Sequence, residues 1–491
     1  MPRARSINMN QTSIVWLRRD LRLHDNPALS AAVARGGPVL ALFILDDEGD
    51  RWRPGGASRW WLHHSLTKLD EALRQRGGRL ILRRGDCAAA LAAVIAESGA
   101  DAVYWNRRYD ARGRELDASI KARLRERGLT VESFNGSLLF EPWAIKTGGG
   151  GPFQVFTPFW RACLGAEPPA PPLTAPARMA AANDAVASDR LESWRLLPVA
   201  PDWSGGLRET WDVGEEAARR RLADFLDEKL ATYREERDRP DLDSTSRLSP
   251  YLAWGEISPR QIWHAAHHAS AGGRDTGKFL SELGWREFSW HLLYHHGSLP
   301  EENFRPAFDR FPWADDEDAL AAWQAGRTGY PIVDAGMRQL WRTGWMHNRV
   351  RMVVASFLVK HLLVHWRAGE EWFWDTLVDA DLANNAASWQ WVAGSGADAA
   401  PYFRIFNPVL QGERFDPAGD YVRRFVPELA RMPAAFIHKP WLAPASALLA
   451  AGVTLGHTYP RPIVEHDGAR QRALAAFQAM RGDDDKRLVG A

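Results

Sequence analysis

Residues 379–408 read DADLANNAASWQWVAGSGADAAPYFRIFNP. These thirty residues hold two close aspartates (Asp379, Asp381), an asparagine pair (Asn384, Asn385), two tryptophans (Trp389, Trp391) and a Gly-rich turn. Carboxylates, amides and indoles crowded this way are costly to bury, because each polar group needs a partner. The run before it, WRAGEEWFWDTLV (366–378), is aromatic and helical in pattern, and the stretch itself closes on a proline that stops regular structure. Taken alone, it reads as a Trp-rich helical core with a few satisfied polar residues.

Outward from this stretch, a chain of 491 residues is too long for one ordinary core, so two or more domains are expected. Hydrophobic content of 45% and charged content of 25% are those of a soluble globular protein, with no apolar run as long as a membrane span. No apolar core follows the basic start MPRARSINMNQ, which argues against export and leaves Met1 or Met9 as the start. With only Cys87 and Cys163 there is no disulfide framework and no cysteine-ligated zinc site or cluster, so a cytoplasmic setting and no metal are expected. A net charge of +1 neither demands nor forbids nucleic acid; a DNA-binding surface would have to be a local patch. The 24 tryptophans allow packing, stacking and electron transfer without choosing among them.

Strand and helix signals alternate over residues 12–140. SIVWL (13–17), VLALFI (39–44), RLIL (79–82), AVYW (102–105) and TVESF (130–134) read as strands, with helices at 27–34, 59–75, 87–97 and 114–127. This is βαβ grammar and predicts a doubly wound parallel α/β sheet. A dinucleotide Gly-x-Gly-x-x-Gly is absent, and any ligand is expected over the carboxyl ends of the strands. Residues 141–212, with GGGG and AEPPAPPLTAPA, form a linker carrying one docked helix, FTPFWRACL (156–164). Residues 213–484 are helical in pattern.

Three segments carry polar chemistry besides the opening stretch. VWLRRDLRLHDNPAL (15–29) is an Arg-rich loop that by itself could be a solvated face. Thr245, Ser246, Arg247 and Ser249 precede an amphipathic helix, as a plain cap or as hydroxyls and N–H groups suited to a diphosphate. In FLSELGWREF, Glu282 and Trp285 share a helical face, and Arg286, four residues after Glu282, could neutralise it.

Together these motifs resemble the DNA photolyase/cryptochrome family along nearly the whole chain, most closely the bacterial enzymes acting on cyclobutane pyrimidine dimers, with the class III branch near plant cryptochromes in view. The resemblance implies an all-α FAD-binding C-terminal domain. It implies FAD held by Tyr233, Thr245, Ser246, Arg247, Leu248, Ser249, Phe279, Arg286, Arg351, Asp379, Ala380, Asp381 and Asn385, with Arg351 paired to Asp379 and Asn385 facing flavin N5. An amide there holds a reduced flavin without an ionisable proton source. Glu282, Trp285, Asn348, Met352 and Trp391 would form the lesion pocket, where an extruded base stacks on an aromatic beside a carboxyl. Arg237 and Arg349 would grip DNA phosphates. Trp389, Trp366 and Trp313 match the family's electron relay. His347-Asn348 lacks the histidine pair of members repairing six-four photoproducts.

The implied activity is light-driven dimer repair by a monomer on DNA carrying pyrimidine dimers. A cryptochrome-like photoreceptor without repair is the alternative. An antenna chromophore is expected, methenyltetrahydrofolate favoured over a deazaflavin, although NRRYDARGRE (106–115) departs from the folate-binding Asn-Glu pattern.

Overall fold

The computed structural model describes residues 11–47, 49–181, 185–399 and 404–489, without the side chains of 482–489. The basic start, and residues 400–403 of the opening stretch, therefore lie outside the described residues.

Five strands, β1 (Ser13–Leu17), β2 (Val39–Leu45), β3 (Leu80–Arg84), β4 (Ala102–Asn106) and β5 (Thr130–Phe134), pair in parallel in the order β3-β2-β1-β4-β5. Helices α1 (Pro27–Ala34), α2 (Gly56–Arg74), α3 (Cys87–Ser98) and α4 (Ala111–Glu126) cross between them. Most starts follow local rules. Asn26 caps α1 with Pro27 at its first position, and Asp86 and Asp110 cap α3 and α4.

Alternation along each strand builds two cores. Ile14 and Trp16 face Leu91, Val94, Ile120 and Leu124 of α3 and α4. Val15 and Leu17 face the other way, into an apolar cluster that continues through Trp60 and Trp61 of α2 to Tyr251, Trp254 and Phe288 of the helical domain. The two domains thus share one core.

The Arg-rich loop after β1 is not a solvated face. Arg22 is 1% exposed and spends its guanidinium on carbonyl oxygens of Asp25, Gly136 and Gly255. Asp25 in turn accepts from Arg260 at 2.6 Å and Ser258 at 2.5 Å, tying β1's loop to the helical domain.

The linker docks α5 (Phe156–Gly165) against that domain. Beyond it run α6 (Glu215–Asp224), α7 (Ser249–Trp254), α8 (Pro259–Ala271), α9 (Gly277–His295), α10 (Pro331–Thr343), α11 (Asn348–Ser356), α12 (Trp366–Thr376), α13 (Leu382–Ala393) and α14 (His466–Val489), with further helices of up to eight residues and turns between them. The helix expected after the hydroxyl-rich loop is only six residues, because Gly255 turns left-handed at φ 66° and a Ser258–Gln261 capping box starts α8. No helix among the described residues is long and apolar enough to cross a membrane.

Candidate functional site

The helical domain holds a cavity of about 580 Å³ between the loop before α7 and helices α9, α11, α12 and α13. Its lining brings together every residue assigned by resemblance to the flavin, from Tyr233 and the 245–249 loop to Phe279, Arg286, Arg351, Asp379, Ala380, Asp381 and Asn385. Glu282, Trp285, Asn348, Met352, Trp389 and Trp391 line the same space, with Arg237 and Arg349 at its mouth.

Local structure explains the placement. Asp381 caps α13, accepting from Asn384 N at 2.9 Å and Asn384 Nδ2 at 2.8 Å, and also takes the Trp290 indole N–H at 3.1 Å. One turn into α13, Asn385 and Trp389 fall on one face. Asn385 Nδ2 donates to the Glu370 carbonyl at 3.0 Å, which fixes the amide. Arg351 donates to Asp379 Oδ2 at 2.8 Å, while Asp379 Oδ1, although buried, has no partner among the described residues. A buried carboxylate oxygen left open beside its arginine fits a ring N–H donor such as a flavin offers.

Arg247 sits at φ 49°, a left-handed backbone rare outside glycine, with Asp243 at 3.0 Å and its guanidinium 5.2 Å above the Trp345 ring. Trp345 also donates to Ser249 Oγ at 3.3 Å, so it organises the hydroxyl-rich loop. Trp345 was not singled out from sequence, although it lies in the same TGWMHNR run as Asn348. Burial pushes the His347 imidazole down to about 4, and Arg237, Arg349 and Arg247 add to the effect against Asp238. His347 is therefore neutral, and its Nδ1 accepts from Arg349 N at 3.2 Å. Behind Asn385, burial holds the Glu370 carboxyl well above the usual range, and neither oxygen has a partner among the described residues. An ionisable group thus does stand one helix back from the amide.

On the α9 side, Trp285 stacks on Phe156 of the linker helix, rings 3.8 Å apart and 9° from parallel. The linker segment reads from sequence as a docked helix beginning at Phe156, but nothing local ties that ring to Trp285, 129 positions away. Glu282 is not neutralised by Arg286, which turns to Ser137 O at 2.9 Å and to Glu287. Its partners are Arg237 at 2.5 Å and Lys278 at 2.8 Å.

Trp366 and Trp313 lie behind the cavity rather than in it. Trp389 packs so closely on Gly369 that an added Cβ would fall 2.1 Å from its ring, which is why glycine stands one turn beyond Trp366 on α12. Trp366 is fully buried and donates to Asn303 Oδ1 at 2.9 Å. The His365 ring lies 5.5 Å from Trp366 and 4.9 Å from half-buried Trp313, so it sits between the two indoles.

A five-stranded parallel α/β domain is joined to a helical domain that encloses a polar and aromatic cavity lined in part by arginines, which is a two-domain α/β plus all-α architecture. The sequence matches the family description of DNA photolyase over residues 13–177 and that of the FAD binding domain of DNA photolyase over residues 279–479. The chain belongs to the DNA photolyase family and carries its FAD-binding domain. It is 55% identical over 470 residues to a deoxyribodipyrimidine photo-lyase of Agrobacterium fabrum, covering 95% of this chain and 98% of that one. Cryptochrome-1 of Arabidopsis thaliana is 43% identical over 487 residues, covering 95% of this chain and 70% of that one. The crystal structure of a bacterial class III photolyase from Agrobacterium tumefaciens superposes with a TM-score of 0.94 at 54% identity, covering 98% and 99% of the two chains.

Proposed function

We propose that this protein repairs cyclobutane pyrimidine dimers in DNA with light. The observation that carries the reading is that one cavity gathers both sets of side chains, those suited to a flavin and those suited to an extruded dimer. All come from one chain, so a monomer suffices. When bound, reduced FAD excited by blue light supplies the chemistry, lending the dimer one electron that returns after the ring splits, with no net redox change.

The protein's own part is positional and electrostatic. Arg351 and the open oxygen of Asp379 would orient the flavin ring, while Thr245, Ser246, Arg247 and Ser249 would hold its phosphates. Trp285, stacked on Phe156, and Trp391 would form walls for the lesion, and Met352 would help to shape the pocket. Glu282 and Asn348 stabilise charge that develops on the dimer by hydrogen bonding. Trp389, Trp366 and Trp313 would relay electrons from an external reductant at the surface toward a flavin that had become oxidised. Arg237 and Arg349 engage phosphates at the mouth.

The antenna is best read as methenyltetrahydrofolate, with a deazaflavin as the alternative. It would lie in the seam between the domains, not over the strand ends. There Trp143, 40% exposed, lies 5.6 Å from Tyr294 and 6.3 Å from Tyr109, and Arg114 sits 4.1 Å above Tyr294. Aromatic faces beside arginines suit a planar ring with a carboxylate tail. The absorption spectrum of the purified protein separates the two pigments.

The test of the main reading is repair of a thymine-dimer oligonucleotide under blue light after reduction, comparing wild type with Glu282→Ala. Light-dependent repair that collapses in the variant supports a photolyase. Bound FAD that photoreduces through Trp389 without any repair favours the photoreceptor reading, to which the likeness to Cryptochrome-1 also points.

A further inference from the structure

At the mouth of the cavity each cation already has a carboxylate. Arg237 and Lys278 both reach Glu282 Oε1, at 2.5 Å and 2.8 Å. Arg349 donates to Asp238 Oδ2 at 2.8 Å, and Arg237 Nε lies 3.9 Å from the other Asp238 oxygen. Arg237, Lys278 and Arg349 line both the cavity and an adjoining recess of about 500 Å³ that Asp238 also lines. The groups are half sheltered, with side-chain exposure of 13% for Arg237 and 28% for Glu282.

We propose that Glu282 and Asp238 are internal counter-charges that discriminate against undamaged DNA. The inference rests on the reading of this mouth as the surface that meets DNA. A backbone phosphate that takes Arg237 must pull it from Glu282, and a sheltered carboxylate stripped of its arginine is costly. A pyrimidine dimer turned into the cavity brings ring imide N–H groups, which donate to the freed carboxylate and restore what it lost. A stacked, undamaged strand brings no such donor, so the exchange stays unfavourable. Glu282 therefore serves twice, as a hydrogen-bond acceptor for the lesion and as a guard on the arginine beside it. Asp238 guards Arg349 in the same way without touching the lesion. Specificity is a difference of affinities, and this arrangement lowers the unwanted one.

The test uses the FAD-loaded full chain with Glu282→Gln and Asp238→Asn, each titrated with an undamaged duplex and with the same duplex carrying one thymine dimer. Retained flavin absorbance shows that the variants fold. Both variants are expected to bind undamaged DNA more tightly, by about three- to tenfold at low salt, with the log–log salt slope steeper by roughly 0.9 for one more released counterion. Glu282→Gln is expected at the same time to bind the dimer more weakly, so its two affinities move in opposite directions. Undamaged-DNA affinity that falls or stays level in both variants overturns the proposal. Arg349→Ala serves as the control: if it leaves affinity and salt slope unchanged for both duplexes, the mouth does not meet DNA. The reading beneath the proposal then fails, and the proposal with it.

Discussion

The crevice over the carboxyl ends of β1 and β4 and the cavity inside the helical domain are built from the same kinds of side chains: aspartate, asparagine, arginine and tryptophan. In the crevice those groups mostly bond to one another, although Asn106 Oδ1, Arg18 Nε and Nη1 and the Trp16 indole N–H are buried without a partner among the described residues. Asp20 accepts from Arg18 N at 2.6 Å and from Asn106 Nδ2 at 2.7 Å, and Asn106 also donates to Asn26 at 2.9 Å. Arg18 rests its guanidinium 4.4 Å above Trp16, and both oxygens of Asp25 are taken by Arg260, Ser258 and Leu173 N. In the cavity, one buried oxygen of Asp379 has no partner among the described residues, beside its arginine. Density of polar groups is therefore a poor sign of a site. An unfilled hydrogen-bonding valence facing open space is a better one.

The contrast makes its strongest prediction about stability. Asp25→Ala leaves Arg260 without its partner in a sheltered place and should cost about 3–5 kcal/mol, read as a shift in the chemical-denaturation midpoint. Glu282→Ala should cost less, about 1–2 kcal/mol, because Arg237 keeps Asp238 at 3.9 Å and Lys278 is 38% exposed, so neither cation is left without a carboxylate or water. Its dimer affinity should fall by about 1–3 kcal/mol, the scale of one base-edge contact, in a binding titration. Comparable destabilisation by the two variants would erase the distinction.

The seam between the regions gives a pH signature of intermediate size. Glu256, wholly buried and bonded to Trp61 of α2 at 3.2 Å, is raised by burial from 4.5 to about 8. Its folded-state value lies above the unfolded one, so the native state holds the extra proton between them. The stability this supplies is complete at acid pH and is lost as pH rises through about 8. Thermal melts should therefore fall over that window in wild type and flatten in Glu256→Gln. The smallest effect belongs to the mouth, where Arg349→Ala should weaken DNA binding a few-fold and reduce the salt slope by about one phosphate contact.

The two regions also differed in how far they could be read from sequence. Strands β1 and β5 fall where they were expected, and the other three within two residues; fully buried β1, β2 and β4 read as continuous apolar segments, whereas β5 is a half-exposed edge strand. Helix α1 was exact, since Asn26-Pro27 announces its start locally. The burial of Arg22 was not legible, as arginine is a surface residue unless distant carbonyls happen to surround it. Likewise the 245–249 loop and the Asp379–Arg351 pair came from resemblance, whereas Lys278, Asp238 and Phe156 emerged only in three dimensions. The Arg237–Glu282 pair spans 45 positions along the chain, beyond any local rule. The break at Gly255 could have been found, because WGEISP holds both a helix-ending glycine and a capping serine.

The most direct test of the contrast is hydrogen exchange of the protein with and without FAD. Cofactor addition should protect backbone amides around residues 245–252, 345–355 and 379–392, and leave those around 18–26 and 102–108 as they were. Equal protection in the crevice after β1 would contradict the account, because it would mean that the closed cluster also answers to the ligand.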